Sequence, residues 1–191
     1  MAQQAQPTSV GSYHFSANKE LYEIQRGNNF EFIVDMSLNG ASAYGSESKT
    51  FPNAQEYLRL SVSSAFAPHY KQSAIDVKRG NTSVKYAGPI EWSGGSISFY
   101  DFIGVETKDI LMAWQAMSGN PLYQTVGQQK EYKKDATLIE YTPDYSEIVR
   151  TWKLDGCWIS ELREDDFSQD ANGSRKITAT IEYDRAYVAY E

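Results

Sequence analysis

Cysteine is nearly missing from this sequence. Cys157 is the one thiol in 191 residues, so no disulfide can close within a chain, and a zinc site built on thiolates has no ligand set. Histidine is scarce as well: His14 lies in a polar N-terminal stretch, and His69 follows Pro68 in a stretch read as loop. A solvated loop histidine outweighs a catalytic base at both positions. No serine or cysteine stands in a nucleophile elbow. There is no Gly-rich phosphate loop and no metal-ligand spacing, so nothing nominates a cofactor, a metal or an enzymatic centre. No stretch is long and apolar enough to span a membrane. Met1–Val10 is polar, without the apolar core of a secretory leader, which points to synthesis in the cytoplasm. The sequons at Asn81-Thr82-Ser83 and Asn172-Gly173-Ser174 are then chance matches. Basic charge is in deficit too, with 18 Lys and Arg against 25 Asp and Glu and a net charge of −7. A surface that grips nucleic acid needs cations to displace counterions, so binding of that kind is disfavoured, whereas letting nucleic acid pass without sticking is not.

What is present is the composition of a folded β protein. Hydrophobic residues make up 41% and charged residues 23%, the balance of a globular chain. Aromatics reach 14%, with 14 tyrosines. That enrichment favours strands and interfaces, where a ring buries one face and keeps a polar tip wet. The length suits one domain with a core of its own.

Residues 1–18 read as a flexible arm and 19–191 as a single domain. Phe30, Phe32, Val34 and Met36 alternate with more polar neighbours and predict a strand over 30–38, closed by the Asn39-Gly40 turn signal. Residues 39–55 read as a long loop. Leu58, Leu60, Val62 and Phe66 fall on one side of a second predicted strand. Short strands at 74–77 and 84–86 flank an Arg79-Gly80-Asn81 turn, and Gly94-Gly95 reads as another hairpin tip before a strand over 96–102. The one helical spacing lies at about residues 105–118. Thr107 is its N-cap and Asp109 sits in its first turn. Ile110, Leu111, Trp114 and Met117 share a face, and Gly119 and Pro121 end it. Strands follow at 137–141, 148–154, 157–159 and 176–183. The class is mainly β: an antiparallel barrel or sandwich with one packed helix.

Three features have a functional and a structural reading. The acidic run Glu161, Glu164, Asp165, Asp166 lacks the spacing of a calcium loop and reads as a solvated turn. Cys157 reads as a small core residue. Trp92, Trp114, Trp152 and Trp158 fall inside predicted strands and the helix, which favours packing over a sugar site.

A series of short segments is more specific. Arg79-Gly80-Asn81 is followed by Lys85-Tyr86-Ala87-Gly88, then Ser98-Phe99-Tyr100-Asp101 and Ala113-Trp114. After these come Tyr132-Lys133-Lys134-Asp135, the run Val149-Arg150-Thr151-Trp152-Lys153-Leu154-Asp155-Gly156-Cys157-Trp158, and Ile181-Glu182-Tyr183-Asp184. In this order they resemble the tail tube proteins of contractile-tailed bacteriophages, a fold shared with tubes of contractile injection systems. The resemblance covers about residues 74–184, and residues 28–66 by strand pattern alone.

The resemblance implies six-membered rings that stack into a tube, with strands of all subunits joined into one barrel around a channel. It implies a virion tail component whose partners are further copies of itself, a sheath protein, the baseplate and tail terminator, and a tape measure protein and DNA inside the lumen. Ser96, Ser98, Thr178, Thr180 and Glu182 fit the polar, lumen-facing side of such strands, and the lumen is expected to be net negative. By the same analogy Ser46, Glu47 and Lys49, with Gln124 and Gln128 from the segment after the helix, contact the next ring, or they stand on mobile surface loops. Lys133, Lys134 and Asp135 then pair across subunits, or stand as exposed charges. The rival expectations are a tube-initiating baseplate protein, a secreted ring protein, a carbohydrate-binding β-sandwich with a row of exposed aromatics, and an enzyme, for which no cleft residues are nominated.

Overall fold

The computed structural model describes residues 24–36, 38–41, 49–104, 106–168 and 173–190; the expected arm at 1–18 lies outside them, as do Ser46 and Glu47. The elements run β1 (Phe30–Asp35), β2 (Leu38–Ala41), β3 (Lys49–Phe51), α1 (Ala54–Ser61), β4 (Val62–Ser64), β5 (His69–Arg79), β6 (Thr82–Ser93) and β7 (Gly95–Tyr100). Then follow α2 (Thr107–Ser118), β8 (Gly119–Asn120), β9 (Thr125–Val126), α3 (Gln129–Tyr132), β10 (Lys134–Tyr141), β11 (Ile148–Glu164), β12 (Lys176–Glu182) and β13 (Arg185–Ala189).

One antiparallel sheet, in the order β1-β10-β11-β12-β7-β4, with β13 also on β11, curls into half a barrel. Its spine is β11, 17 residues long, where the sequence suggested two separate strands. The first half of β11 pairs with β10 on one side and β13 on the other. Its second half pairs with β12, on the side β13 occupied. β12 and β13 thus follow β11 as one interrupted strand. Gly156 makes the spine possible. Leu154 and Cys157 both face the core, although three positions apart in a strand would put them on opposite faces. Gly156, at φ 71°, absorbs the extra residue as a bulge in the left-handed region that glycine enters without steric cost.

The side of the sheet that meets α1 and α2 holds the core. Phe32, Val34, Leu138, Leu154, Ile159 and Ile181 close on Ile110, Leu111 and Trp114 of α2 and on Ala54 and Leu58 of α1. Each such side chain contributes about 1.5–3 kcal/mol on burial. The Trp114 indole N–H donates to the Tyr132 carbonyl at 2.8 Å, which ties α3 to α2.

The structure corrects several local expectations. Residues 54–61 form a helix rather than a strand: Ala54, Leu58 and Ser61 are buried at a helical spacing, whereas Leu60 is 67% exposed. With α3 this makes two shorter helices beside the expected one. The segment 39–55 contains β2 and β3, which pair, and the start of α1. Glu106, not Thr107, occupies the N-cap of α2. Thr107 is instead buried, with its hydroxyl 2.9 Å from that of Ser61, joining the two helices. Gly94-Gly95 is not a hairpin tip. β6 passes through it into β7 on the same arm, and the glycines are there for close approach: a Cβ at Gly94 would lie 2.6 Å from the Glu182 carboxylate, and one at Gly95 would overlap the Phe66 ring.

Candidate assembly surfaces

The face of the sheet turned from the core is polar. Ser96 lies opposite Thr180, and Ser98 opposite Thr178, their hydroxyls 3.2 Å apart. The rows continue to Glu161 and Arg163 on β11 and to Ser64 on β4. Glu182 faces Trp158 across the same strands. All five residues expected to line a lumen therefore share one face, turned from the core because Ile97, Phe99, Ile177, Ala179 and Ile181 alternate with them and are buried. The charges on this face are mixed: Glu161 pairs with Arg163 at 3.2 Å, and the Lys176 ammonium sits 5.1 Å from the centre of the Tyr100 ring.

The four-strand segment β11-β12-β7-β4 ends in two open edges. β10 stops at the Lys134–Cys157 pair, which leaves residues 158–164 of β11 paired on the β12 side alone among the described residues. A groove lined by Ser118, Pro121, Trp158 and Ser160 runs along that edge. At the other end, β4 and β5 have no partner beyond β7 and β6 among the described residues.

From this second end rises the feature that the sequence understated. The expected strands at 74–77 and 84–86 belong to a ribbon of 11 and 12 residues, roughly 35 Å long at a strand's rise per residue. Its pairing, His69 with Ser93 through Arg79 with Thr82, extends the β4–β7 pairing, Val62 with Phe99 and Ser64 with Ser98. β4-β5 and β6-β7 are thus the two arms of one long hairpin, rooted in the sheet and free at the tip. The root is clamped by Tyr183, whose hydroxyl accepts from the His69 N–H at 3.3 Å and donates to its carbonyl at 3.2 Å. Phe66 stacks on the Tyr183 ring with centroids 5.7 Å apart, and Trp92 packs against it tilted by 52° at 5.8 Å. Toward the tip, Ile75 faces Tyr86 and Val77 faces Val84, while Asp76 faces Lys85 on the other side. The four apolar side chains are 40–52% exposed, an uncovered amphipathic ribbon. Two-stranded hairpins are marginal alone. The signal was in the sequence: these pairs stand symmetrically about Gly80-Asn81.

The remaining candidate residues divide in two. Lys49 forms ion pairs with Glu106 and with Asp109, at 3.7 Å, at the start of α2. Lys133 holds Asp184 at 2.7 Å, and Asp135 accepts the Gly156 N–H at 3.2 Å; these three have partners in their own chain. Lys134 begins β10 opposite Cys157. Gln124 and Gln128 are exposed beside the small β8–β9 hairpin, with Leu122, Tyr123 and Val126 exposed next to them. In the acidic run, Glu164 pairs with Arg175 and Lys108, and Asp165 accepts the Lys176 N–H. The tryptophans make no exposed row: Trp114 is buried, and Trp92, Trp152 and Trp158 are half-buried. Cys157 is fully buried. Among the described residues, no group of His, Cys, Asp and Glu could hold a metal ion, and no helix is long and apolar enough to cross a membrane.

No protein-family model matches the sequence, and no curated protein matches it. Solved structures do. A chain of the sheath–tube complex of an extracellular contractile injection system, in its extended state, superposes with a TM-score of 0.51 at 15% identity, over 95% of this chain and 98% of that one. A chain of the sheath/tube terminator of such a system gives 0.53 at 17%, over 89% and 99%. The tube-terminating cap of the anti-feeding prophage gives 0.52 at 14%, over the full length of both chains. At these identities the likeness is one of fold: the chain is built as a tube-type β domain.

Proposed function

We propose that this chain is a structural subunit of a tube, in which copies close into six-membered rings and the rings stack around a channel. The observation that carries the reading is the four-strand segment β11-β12-β7-β4. It is polar on the face turned from the core, packed on the core by the other, and open at both edges among the described residues. Open edges invite pairing with another chain, and closure into a barrel removes them. Six copies of four strands give a barrel of about 24 strands, wider than the 16–18 that already leave an aqueous channel. The injection-system fold supports the same reading.

In this arrangement Ser96, Ser98, Thr178, Thr180 and Glu182 line the lumen. Their hydroxyl-rich wall has no basic cluster, so DNA or another polyanion passes without binding. The exposed hairpin bearing Gln124 and Gln128, with the segment containing Ser46, Glu47 and Lys49, meets the next ring. A sheath protein surrounds the stack, and a baseplate and terminator close its ends. The tube conveys a phage genome behind a tape measure protein, or it serves an injection system. The second use is favoured by the injection-system assemblies among the solved structures with this fold.

Negative-stain electron microscopy over a concentration series, with and without a tail baseplate as nucleus, tests the proposal. Hollow rings or tubes are expected. Featureless monomers under every condition would overturn it.

A further inference from the structure

We infer that the segment preceding Ile24 docks in a groove of its own chain and acts there as a brake on assembly. Tyr13 and Phe15 seat between the start of β1 and the β4–β5 junction, and they leave when a neighbouring copy takes that edge. The inference rests on the ring reading and concerns the single chain before rings form.

The groove has a volume of about 340 Å³, with Gln25 and Arg26 on one wall and Ala65–Ala67 on the other. Its floor is apolar: Leu138 is buried, and the half-buried Phe30 and Phe66 pack on the core from here. Ala65–Ala67 directly continues β4, an outer strand of the four-strand segment. Strand pairing lapses at this point. The β4–β7 pairs end at Ser64 with Ser98, and the β5–β6 pairs begin at His69 with Ser93. A lapsed edge over an apolar floor takes up an extended segment readily.

Place, pattern and charge name the occupant. The Gln25 amide donates to Glu140 at 2.9 Å, so residues 1–23 depart from the groove's own wall. In that otherwise polar stretch Tyr13 and Phe15 stand two apart, the spacing that puts both on one side of an extended chain. The stretch from Phe15 to Ile24 spans up to about 30 Å when extended, and Ser16 and Asn18 within it favour a turn back. Arg26 has no carboxylate partner among the described residues, and Glu20 and Glu23 lie in the same segment. A tethered segment acts at an effective concentration on the order of millimolar, above that of a second copy in dilute solution. Seated there, it covers the edge that a neighbour needs, and a nucleus that offers a larger contact displaces it.

Disulfide trapping in the full chain tests both parts, since Cys157 is buried and does not interfere. Phe15→Cys is combined with Ala67→Cys, or with Ala65→Cys where the first pair disturbs folding, and with Tyr187→Cys on β13 as the control. The expected result is a disulfide within single chains at high dilution for the groove pairs, and none for the control. Chains locked in this way should form no rings until reductant is added. A groove closed in about nine chains of ten weakens the apparent affinity between copies about tenfold. Tyr13→Ser combined with Phe15→Ser should therefore lower, by that factor, the concentration at which rings appear. No groove disulfide, or one formed only between chains in rings, overturns the docking. Locked chains that assemble as the reduced ones do, or a double serine variant that assembles no more readily, overturn the brake. An unaltered chain that forms no rings, even with a baseplate as nucleus, overturns the ring reading and the brake together, while the disulfide in single chains still decides the docking.

Discussion

Gly156 lies beneath the carboxylate of Asp184, in the left-handed region at φ 71°, so close that a Cβ there would overlap Asp184 Oδ2. The same carboxylate receives Lys133 at 2.7 Å, and the Asp184 N–H donates to the Asp155 carbonyl at 3.0 Å. The point where β11 changes partners is thus held by one glycine and one aspartate.

Gly156→Ala would place a side chain in a backbone region it disfavours and push Asp184 off Lys133. A left-handed non-glycine residue costs about 1–3 kcal/mol, and the displaced ion pair adds to that. The urea midpoint should fall accordingly with the m-value unchanged. An unaltered midpoint would mean that the bulge is not held by this geometry.

Cys157 gives stability a pH dependence. Burial, and then the neighbouring Asp135, Asp155 and Asp184 carboxylates, push its thiol from 9.0 up to about 12. The unfolded chain releases this proton near its ordinary pKa while the folded chain keeps it. The contribution is therefore complete below pH 9 and is lost as pH rises from there through about 12, by up to about 1.4 kcal/mol per pH unit. Cys157→Ala should flatten that alkaline slope in urea titrations, and the native thiol should resist thiol reagents at pH 8 until the protein unfolds. Rapid labelling of the folded chain would contradict the burial.

The parts of this fold that could be read in advance are those where one period dominates. Ile177, Ala179 and Ile181 alternate with Thr178, Thr180 and Glu182, and the structure places the two sets on opposite faces as the alternation required. Ile110, Leu111 and Trp114 marked α2 for the same reason. The sequence misled where two periods fit equally well. Leu58 and Leu60 alternate like a strand, yet Ala54, Leu58 and Ser61 follow a helix, and tertiary burial decided for the helix. β11 looked broken because Gly156 shifts its phase, which a strict period of two reads as an end. The candidate lumen face was visible because it depends on alternation alone. The open edges were not, since which strands lie side by side is set by long-range pairing.

Tyr183 is the hinge pin of the ribbon, so Tyr183→Phe should act there and little elsewhere. It removes the hydroxyl that bonds both backbone groups of His69 and keeps the ring that packs against Phe66 and Trp92. One such pair of bonds contributes about 0.5–1.5 kcal/mol each. Hydrogen exchange should quicken across residues 69–93 while β10 and β11 remain protected. Equal loss of protection throughout would make Tyr183 a general core residue instead.

The ribbon tip separates folding from assembly. Ile75 and Tyr86 are 52% and 50% exposed in the single chain, so Ile75→Ser combined with Tyr86→Ser removes a cross-strand pair worth about 0.2–1 kcal/mol and little else from the monomer. If a ring covers the same two side chains with the neighbouring copy, the exposed half of each adds about half of the 1.5–3 kcal/mol of a full burial, once for every interface. A change that barely moves the thermal midpoint should therefore abolish rings at concentrations where the unaltered chain forms them. Sedimentation velocity beside a melting curve reads both quantities on one sample. Rings that persist with the double variant would show that the apolar face stays in water, and the ribbon would then have to be held by its edge hydrogen bonds alone.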